Sequence, residues 1–131
     1  MLPRLLLDTH VAVRWLVDAK KLSREQTRVL DAAVRRTEPV ALSAISLLEI
    51  AMLTSEGRLR GRMEDFFEEL QAGQFQILPL TYESAADAAS LKTSLRDPAD
   101  CTIVATARVH RLRLVTSDQR IIESKLVPVV G

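Results

Sequence analysis

Short apolar runs alternate with segments of helical periodicity along the whole chain. Strand-like runs fall at residues 5–7, 40–42, 75–80, 112–117 and 126–130. Helical segments lie between them at residues 11–19, 23–36, 43–57, 63–73, 81–95, 98–110 and 119–124. Several have capping signals, such as the capping-box pattern of Ser23 with Gln26. Parallel strands need crossover connections, which are usually helices. We therefore predict an α/β fold with a mostly parallel central sheet of about four to five strands and helices on both faces.

One hydrophobic core accounts for a chain of 131 residues, and we expect a single domain over residues 1–131. A composition of 47% hydrophobic and 27% charged residues is typical of a globular protein and excludes a disordered one. The single cysteine permits no internal disulfide, which fits a reducing compartment. Because no apolar stretch is long enough to span a membrane, we expect a cytoplasmic protein without membrane association.

Four acidic residues stand at positions where a globular chain rarely buries charge, namely Asp8, Glu49, Asp100 and Asp118. Two follow strand-like runs directly, and the other two lie in helices with few basic neighbours. Sites in parallel sheets form beyond the carboxyl ends of the strands, so we expect the four to converge there. Buried carboxylates are unfavourable unless they are paired or bound to metal. The set therefore predicts a site for a hard divalent cation.

Helix capping is the alternative explanation for three acids near helix starts. Asp8 and Asp118 can each cap the helix that follows, and a shared site does not exclude this. Asp97 precedes Pro98, a pattern typical of an N-cap with proline at the first helical position. Its structural and functional interpretations both stay open.

Capping explains the other two acids less well. Glu49 has capping-box spacing from Ser46, but Ser43 is the more natural cap of that helix. No cation lies three or four positions from Glu49, so a local ion pair is excluded. Asp100 shares a helix face with apolar residues and is predicted to point inward. One cation site explains all four acids, whereas the structural interpretations need a separate reason for each.

Arginines cluster at positions 58–62 and 108–113. A net charge of +1 neither indicates nor excludes a nucleic-acid partner, because local patches matter more than the total. Such clusters are typical of solvated surfaces. At the rim of the acidic site, they would bind phosphate groups and make that binding depend on salt.

Four segments that carry the acids resemble, taken together, the motifs of PIN-domain ribonucleases. They are LLLDTHVAVRWL, LSAISLLEIAML, RDPADCTIVATA and LVTSD, in this order and over essentially the whole chain. The similarity is greatest to VapC-like toxins of bacterial toxin–antitoxin pairs. It implies a single PIN-like domain that acts as a metal-dependent endoribonuclease.

The resemblance also implies a role for individual residues. The acids that bind Mg²⁺ or Mn²⁺ and carry catalysis would be Asp8, Glu49, Asp100 and Asp118. Asp97 would be an accessory acid at the metal site. The substrate site would be lined by the hydroxyl groups of Thr9, Ser43 and Thr116. A bound cation would lower the pKa of a water that attacks the phosphodiester bond and leaves a 5′-phosphate.

Partners follow from the same resemblance. They would be an RNA substrate, a cognate VapB-like antitoxin and a second copy of the chain in a homodimer. The antitoxin would lie across an apolar groove for which the candidates are Val11, Trp15, Leu48 and Met52, unless these residues belong to the core.

Other classes of protein fit the sequence less well. A phosphatase of the haloacid-dehalogenase type needs a second aspartate two residues after the first, where this chain has His10. A phosphate-accepting receiver domain needs an acid pair near its first strand and a late lysine after another strand, and neither is found. The main alternative is a non-catalytic PIN-like module that binds RNA or protein.

Overall fold

Five short strands form the centre of the computed structural model, which describes residues 2–131. They are β1 (Leu5–Leu7), β2 (Val40–Ser43), β3 (Phe75–Leu78), β4 (Arg113–Val115) and β5 (Val129–Val130). Their order across the sheet is β3-β2-β1-β4-β5, and every neighbouring pair is parallel. The prediction of a parallel sheet of four to five strands is confirmed.

Within the described residues, eight α-helices flank this sheet. They are α1 (Thr9–Val17), α2 (Arg24–Arg35), α3 (Ala44–Ser55), α4 (Met63–Ala72), α5 (Tyr82–Ser90), α6 (Lys92–Leu95), α7 (Pro98–His110) and α8 (Gln119–Ser124). In residues 2–131, no helix combines the length and the apolar character that a membrane crossing requires.

The single helix predicted over residues 81–95 is wrong, because the chain divides there into α5 and α6. The break falls at Leu91, whose amide donates to the Ala88 carbonyl three residues back instead of continuing the α-helical pattern. Leu91 and Leu95 are both buried in the core. Residues four apart share one face of a helix, so the two leucines pack against the core from the same side across the break.

The core has two layers, one on each face of the sheet. Leu6 packs into the layer that contains Ile103 and Val104 of α7, whereas its neighbours Leu5 and Leu7 pack into the layer formed with α1 and α2. Alternate residues of a strand point to opposite faces, so three consecutive leucines bury both sides. The prediction of helices on both faces is confirmed.

The carboxyl ends of β1, β2 and β4 lie side by side, because β1 runs between the other two. Each end leads into a helix whose first turn is capped by an oxygen-bearing side chain, those of Asp8, Ser43 and Asp118. The amide of Asp8 also donates to the Val115 carbonyl at 3.0 Å, which joins the ends of β1 and β4. The topology thus brings three polar strand ends to one edge of the sheet.

Candidate metal centre

A cavity of about 660 Å³ opens at the carboxyl edge of the sheet. Its lining includes the four predicted carboxylates, those of Asp8, Glu49, Asp100 and Asp118, which come from separate segments of the chain. Two more line it at the C-caps of α1 and α3, those of Asp18 and Glu56. Asp8 is buried, and the side chains of Asp100 and Asp118 are only 14% and 22% exposed. The cavity thus concentrates negative charge in a partly desolvated place, which is unfavourable without a compensating cation.

Both carboxylate oxygens of Asp8 accept hydrogen bonds. Oδ1 accepts from the Thr9 amide at 2.9 Å, and through this hydrogen bond Asp8 caps the N-terminus of α1. Oδ2 accepts from the Thr116 hydroxyl at 2.7 Å. The Thr116 oxygen in turn accepts from the Asp118 amide at 3.1 Å. Thr116 therefore fixes Asp8 and the start of α8 relative to each other. Capping and clustering of Asp8 occur together and are not alternatives.

Glu49 reaches the same cavity from the second turn of α3. Its Oε1 accepts a hydrogen bond from the Thr9 hydroxyl at 2.5 Å, and the Thr9 oxygen is also 2.8 Å from the Ser46 hydroxyl. Burial raises the pKa of Glu49, the nearby charges of Asp8 and Asp97 raise it further, and the Thr9 hydrogen bond opposes them. Glu49 is thus held in place by a hydroxyl group instead of a cation.

Arg120 joins the remaining two acids. Its Nη2 donates to Asp100 Oδ2 at 3.2 Å and to Asp118 Oδ2 at 3.3 Å. Burial, with the charges of Asp97, Asp8 and Asp118, raises the pKa of Asp100 to about 7, although Arg120 opposes the shift. For Asp118, burial also favours the neutral form, but hydrogen bonds and charge from Arg120 outweigh it and lower the pKa. The pKa values of Asp100 and Asp118 are thus shifted in opposite directions, although both acids accept from one guanidinium.

Three predicted residues, Asp97, Ser43 and Thr116, lie outside the group that lines the cavity. Asp97 is exposed and caps α7 by accepting from the Ala99 amide at 3.1 Å, while its charge acts on Asp100 and Glu49 from a distance. Ser43 is buried and caps α3 by accepting from the Ile45 amide at 3.2 Å. Thr9 lines the cavity, but its hydroxyl bonds to Glu49. The metal and substrate roles of these residues stay predictions.

Carboxylates and hydroxyls are the donors of the cavity, and they fit a hard cation such as Mg²⁺ or Mn²⁺. The acids lie farther apart than the direct ligands of one ion. In residues 2–131, no three His, Cys, Asp or Glu side chains are grouped closely enough to hold a metal ion. Arg120 supplies positive charge to two of the acids instead. The residues therefore fit a divalent cation in chemistry and charge, provided that Arg120 moves away from Asp100 and Asp118.

Three further residues support this edge and were not assigned to the site by sequence reasoning, namely His10, Ser117 and Gln26. His10 Nε2 accepts from the Ser117 amide at 3.1 Å, and its Nδ1 lies 3.3 Å from Asp8 Oδ2. Burial lowers the pKa of His10 although Asp8 raises it, so the neutral ring is favoured. Gln26, which is fully buried, donates to the Ser117 hydroxyl at 2.9 Å. The sequence signals only the capping box of Gln26 with Ser23, which is confirmed.

The apolar groove predicted for an antitoxin is wrong at two of its four positions. Val11 is fully buried in the core, and Trp15 packs against Phe75 with ring centroids 5.6 Å apart, beside a different cavity. Leu48 and Met52 are 54% and 50% exposed. Residues 11 and 15 lie on the part of α1 that faces the sheet, and only the packing of α1 decides this.

The chain belongs to the PIN domain family, which it matches over residues 5–125. Among curated proteins it is similar to ribonuclease VapC22 of Mycobacterium tuberculosis, with 34% identity over 119 residues that cover 88% of each chain. PIN-domain ribonucleases generally depend on divalent metal ions.

Solved structures agree with this family. The FitAcB structure from Neisseria gonorrhoeae has 28% identity and a TM-score of 0.68, covering 97% of this chain and 96% of that one. A toxin–antitoxin complex from Klebsiella pneumoniae has 25% identity and a TM-score of 0.61 and covers 87% and 86%. VapBC2 from Rickettsia felis, bound to a promoter DNA fragment, has a TM-score of 0.72 and covers 95% and 96%. At 16% identity, this last likeness shows the fold alone.

Proposed function

We propose that this chain is the ribonuclease toxin of a toxin–antitoxin pair and cleaves RNA with the help of Mg²⁺ or Mn²⁺. The observation that carries the proposal is the convergence of four carboxylates, Asp8, Glu49, Asp100 and Asp118, in one cavity. It is supported by the similarity to ribonuclease VapC22 over most of both chains. The nuclease occupies the whole chain as a single domain, residues 1–131.

Asp8 and Asp100 are the residues proposed to hold the cation, with Glu49 and Asp118 as direct or water-mediated partners and Asp97 as an accessory acid. A bound cation lowers the pKa of water and offsets the charge of the transferring phosphate. Asp100 has to lose a proton before it binds a cation, because its pKa is raised to about 7. Arg120 has to move its guanidinium away from Asp100 and Asp118.

The hydroxyl residues are proposed to position the acids. Thr116 holds Asp8 by a buried hydrogen bond, and Thr9 holds Glu49. His10, neutral and hydrogen bonded to the Ser117 amide, keeps the loop before α8 near Asp8. We assign Ser43 to the cap of α3, which carries Glu49 into the cavity. Thr9 and Thr116 thus act on the substrate through the acids.

The partners are proposed from the similar structures. The similar structure from Klebsiella pneumoniae is a toxin–antitoxin complex, so we infer a VapB-like antitoxin for this chain and, from the family resemblance, a homodimer as its assembled form. The exposed side chains of Leu48 and Met52 offer apolar contacts for a partner. A cytoplasmic location belongs to the same proposal.

Cleavage of end-labelled total RNA by the purified full-length chain tests the function. We expect discrete fragments with 5′-phosphates in Mn²⁺ or Mg²⁺, none in EDTA and none with Asp8→Asn in either metal. Asp31→Asn, an exposed acid on α2, is the matched control and retains cleavage. Full activity of folded Asp8→Asn refutes the assignment of the site. RNA binding without metal-dependent turnover favours the alternative of a non-catalytic module.

A further inference from the structure

The cavity that contains the acids continues as a trough between α1 and α3, and its far end has three basic residues, Arg14, Lys21 and Arg58, against two acids, Asp18 and Glu56. Lys21 pairs with Asp18 and Arg58 pairs with Glu56, so among the described residues Arg14 is the cation there without a carboxylate partner. Both helices begin at the carboxyl edge of the sheet and lead away from it. Arg14 lies in the last turn of α1 and Arg58 follows α3, and both line the same cavity as the four carboxylates. The trough therefore changes from negative to positive along its length.

Arg14 is half-buried and has no protein partner in the part of the chain described. Within residues 2–131, no carboxylate lies within ion-pairing distance of its guanidinium, and its side chain makes no hydrogen bond. A guanidinium carries five N–H donors, and those of Arg14 are open to solvent and can bind a ligand that enters the cavity. Its place near the end of a helix explains a positive charge, because the helix dipole favours one there. The protein supplies no acceptor for these donors in residues 2–131, so they remain available to a bound anion.

Arg58 reaches the trough through a tight turn. Gly57 has a φ of 71°, in the left-handed region that favours glycine, and the amides of Arg58 and Leu59 both donate to the Leu53 carbonyl, at 2.9 and 3.1 Å. This turn brings Arg58 to the cavity wall. Its ion pair with Glu56, at 3.6 Å, joins two exposed side chains and holds the guanidinium weakly.

We propose that Arg14, assisted by Arg58, binds the phosphate backbone of a single RNA strand that lies along the trough beside the acidic end. The proposal rests on the proposed nuclease function and names the residues that position its substrate. Phosphate oxygens satisfy guanidinium donors in pairs. Arg14 lies one helical turn, roughly 6 Å, beyond His10 at the acidic end, so its contact falls on a nucleotide near the one being cut.

The test measures how RNA binding depends on salt. In an Asp8→Asn background, which leaves the RNA uncut, the affinity of the full chain for a fluorescent 20-nucleotide single-stranded RNA of mixed sequence is titrated from 50 to 200 mM KCl. We expect Arg14→Gln to weaken binding several-fold and to reduce the salt slope by about 0.7, the value for one lost phosphate contact on a single strand. Arg14→Lys should retain most of the slope, since it keeps the charge.

Arg35→Gln is the matched control, because Arg35 also lies in the last turn of a helix but is exposed on α2, outside the trough. It should leave the slope unchanged. If Arg14→Gln does not fold, Arg58→Gln on the exposed turn serves as the second variant and should lower the slope in the same direction. An unchanged slope in the folded variants, or no RNA binding by the parent, overturns the proposal and leaves the trough to a protein partner.

The two proposals fail separately. Absence of metal-dependent cleavage by the wild-type chain refutes the nuclease function, whereas the salt slopes of Arg14→Gln and Arg35→Gln still decide whether the trough binds RNA. Cleavage that is normal in Arg14→Gln, with an unchanged KM and salt slope, refutes only the role of Arg14.

Discussion

Arg120 Nη2 lies 3.2 Å from Asp100 Oδ2, and the same nitrogen lies 3.3 Å from Asp118 Oδ2. The chain thereby places one of its own cations between two acids that we propose as metal partners. Because the Arg120 side chain is 70% exposed, little packing holds it there. A divalent cation therefore competes with a flexible guanidinium and not with a rigid part of the core.

We predict that Arg120→Gln binds Mn²⁺ several-fold more tightly than the wild-type chain, because no guanidinium has to be displaced. Without metal, the same variant should melt at a lower temperature, since Asp100 and Asp118 then lose their shared cation. Calorimetric titration and thermal melting check both effects. Arg28→Gln, which breaks the exposed pair between Arg28 and Glu25, is the control and should leave Mn²⁺ affinity unchanged. Weaker Mn²⁺ binding by Arg120→Gln contradicts the competition.

Thr116→Val should destabilise the chain by about 1–3 kcal/mol, because it leaves a buried oxygen of Asp8 and the Asp118 amide without their hydrogen-bond partner. It should also weaken Mn²⁺ binding, since Asp8 loses its fixed orientation. Urea unfolding and calorimetry measure the two effects. Thr106→Val is a matched change at another buried threonine, whose hydroxyl donates to a carbonyl of its own helix. Equal effects of both variants on Mn²⁺ binding would count against a positioning role for Thr116.

Asp100 should make the metal-free chain less stable as the pH rises from about 4 to about 7. The pKa of Asp100 is raised from 3.8 to about 7 in the folded state, so over this range the folded chain binds more protons than the unfolded chain. The contribution of Asp100 to the free energy of unfolding is fully present below about pH 4 and is lost as Asp100 ionises. Melting temperatures in EDTA across this range measure the effect.

Asp100→Asn should flatten that pH dependence and should raise the melting temperature of the metal-free chain at pH 7. Asp31→Asn on the exposed face of α2 controls for the loss of one carboxylate and should retain the wild-type profile. A steep profile that persists in Asp100→Asn assigns the proton uptake to another group, and a melting temperature below wild type counts against the clustering of charge.

Gln26→Ala should cost about 1–3 kcal/mol of unfolding free energy, because Gln26 is fully buried and its amide bonds both the Ser117 hydroxyl and the Ser23 amide. The loop that leads from β4 to Asp118 loses a support, so Mn²⁺ affinity should fall as well. Urea unfolding and calorimetry give the two values. Thr27→Ala, at the exposed neighbouring position, should change each of them far less. Similar losses in both variants would show that Gln26 acts only through the helix.

Local signals predicted most of the elements and the positions of the acids on them. The capping box of Ser23 and Gln26, the cap at Ser43 and the proline after Asp97 each mark a helix start that the structure confirms. These features depend on residues within one turn of each other, so the sequence contains everything that decides them. The division at Leu91 was missed because no glycine or proline marks it in residues 81–95.

The sequence by itself determined a parallel α/β sheet and placed each acid at or near a strand end or a helix start. Only the tertiary structure decided which groups meet: Thr116 with Asp8, Arg120 with two acids, and Arg14 with no carboxylate in the described chain. It also decided that Val11 is core while Met52 is exposed beside the acids. The physical reason is the separation along the chain over which each interaction acts. Periodicity and capping act between neighbours in the chain, whereas charge pairing and burial depend on how separate helices pack across the sheet.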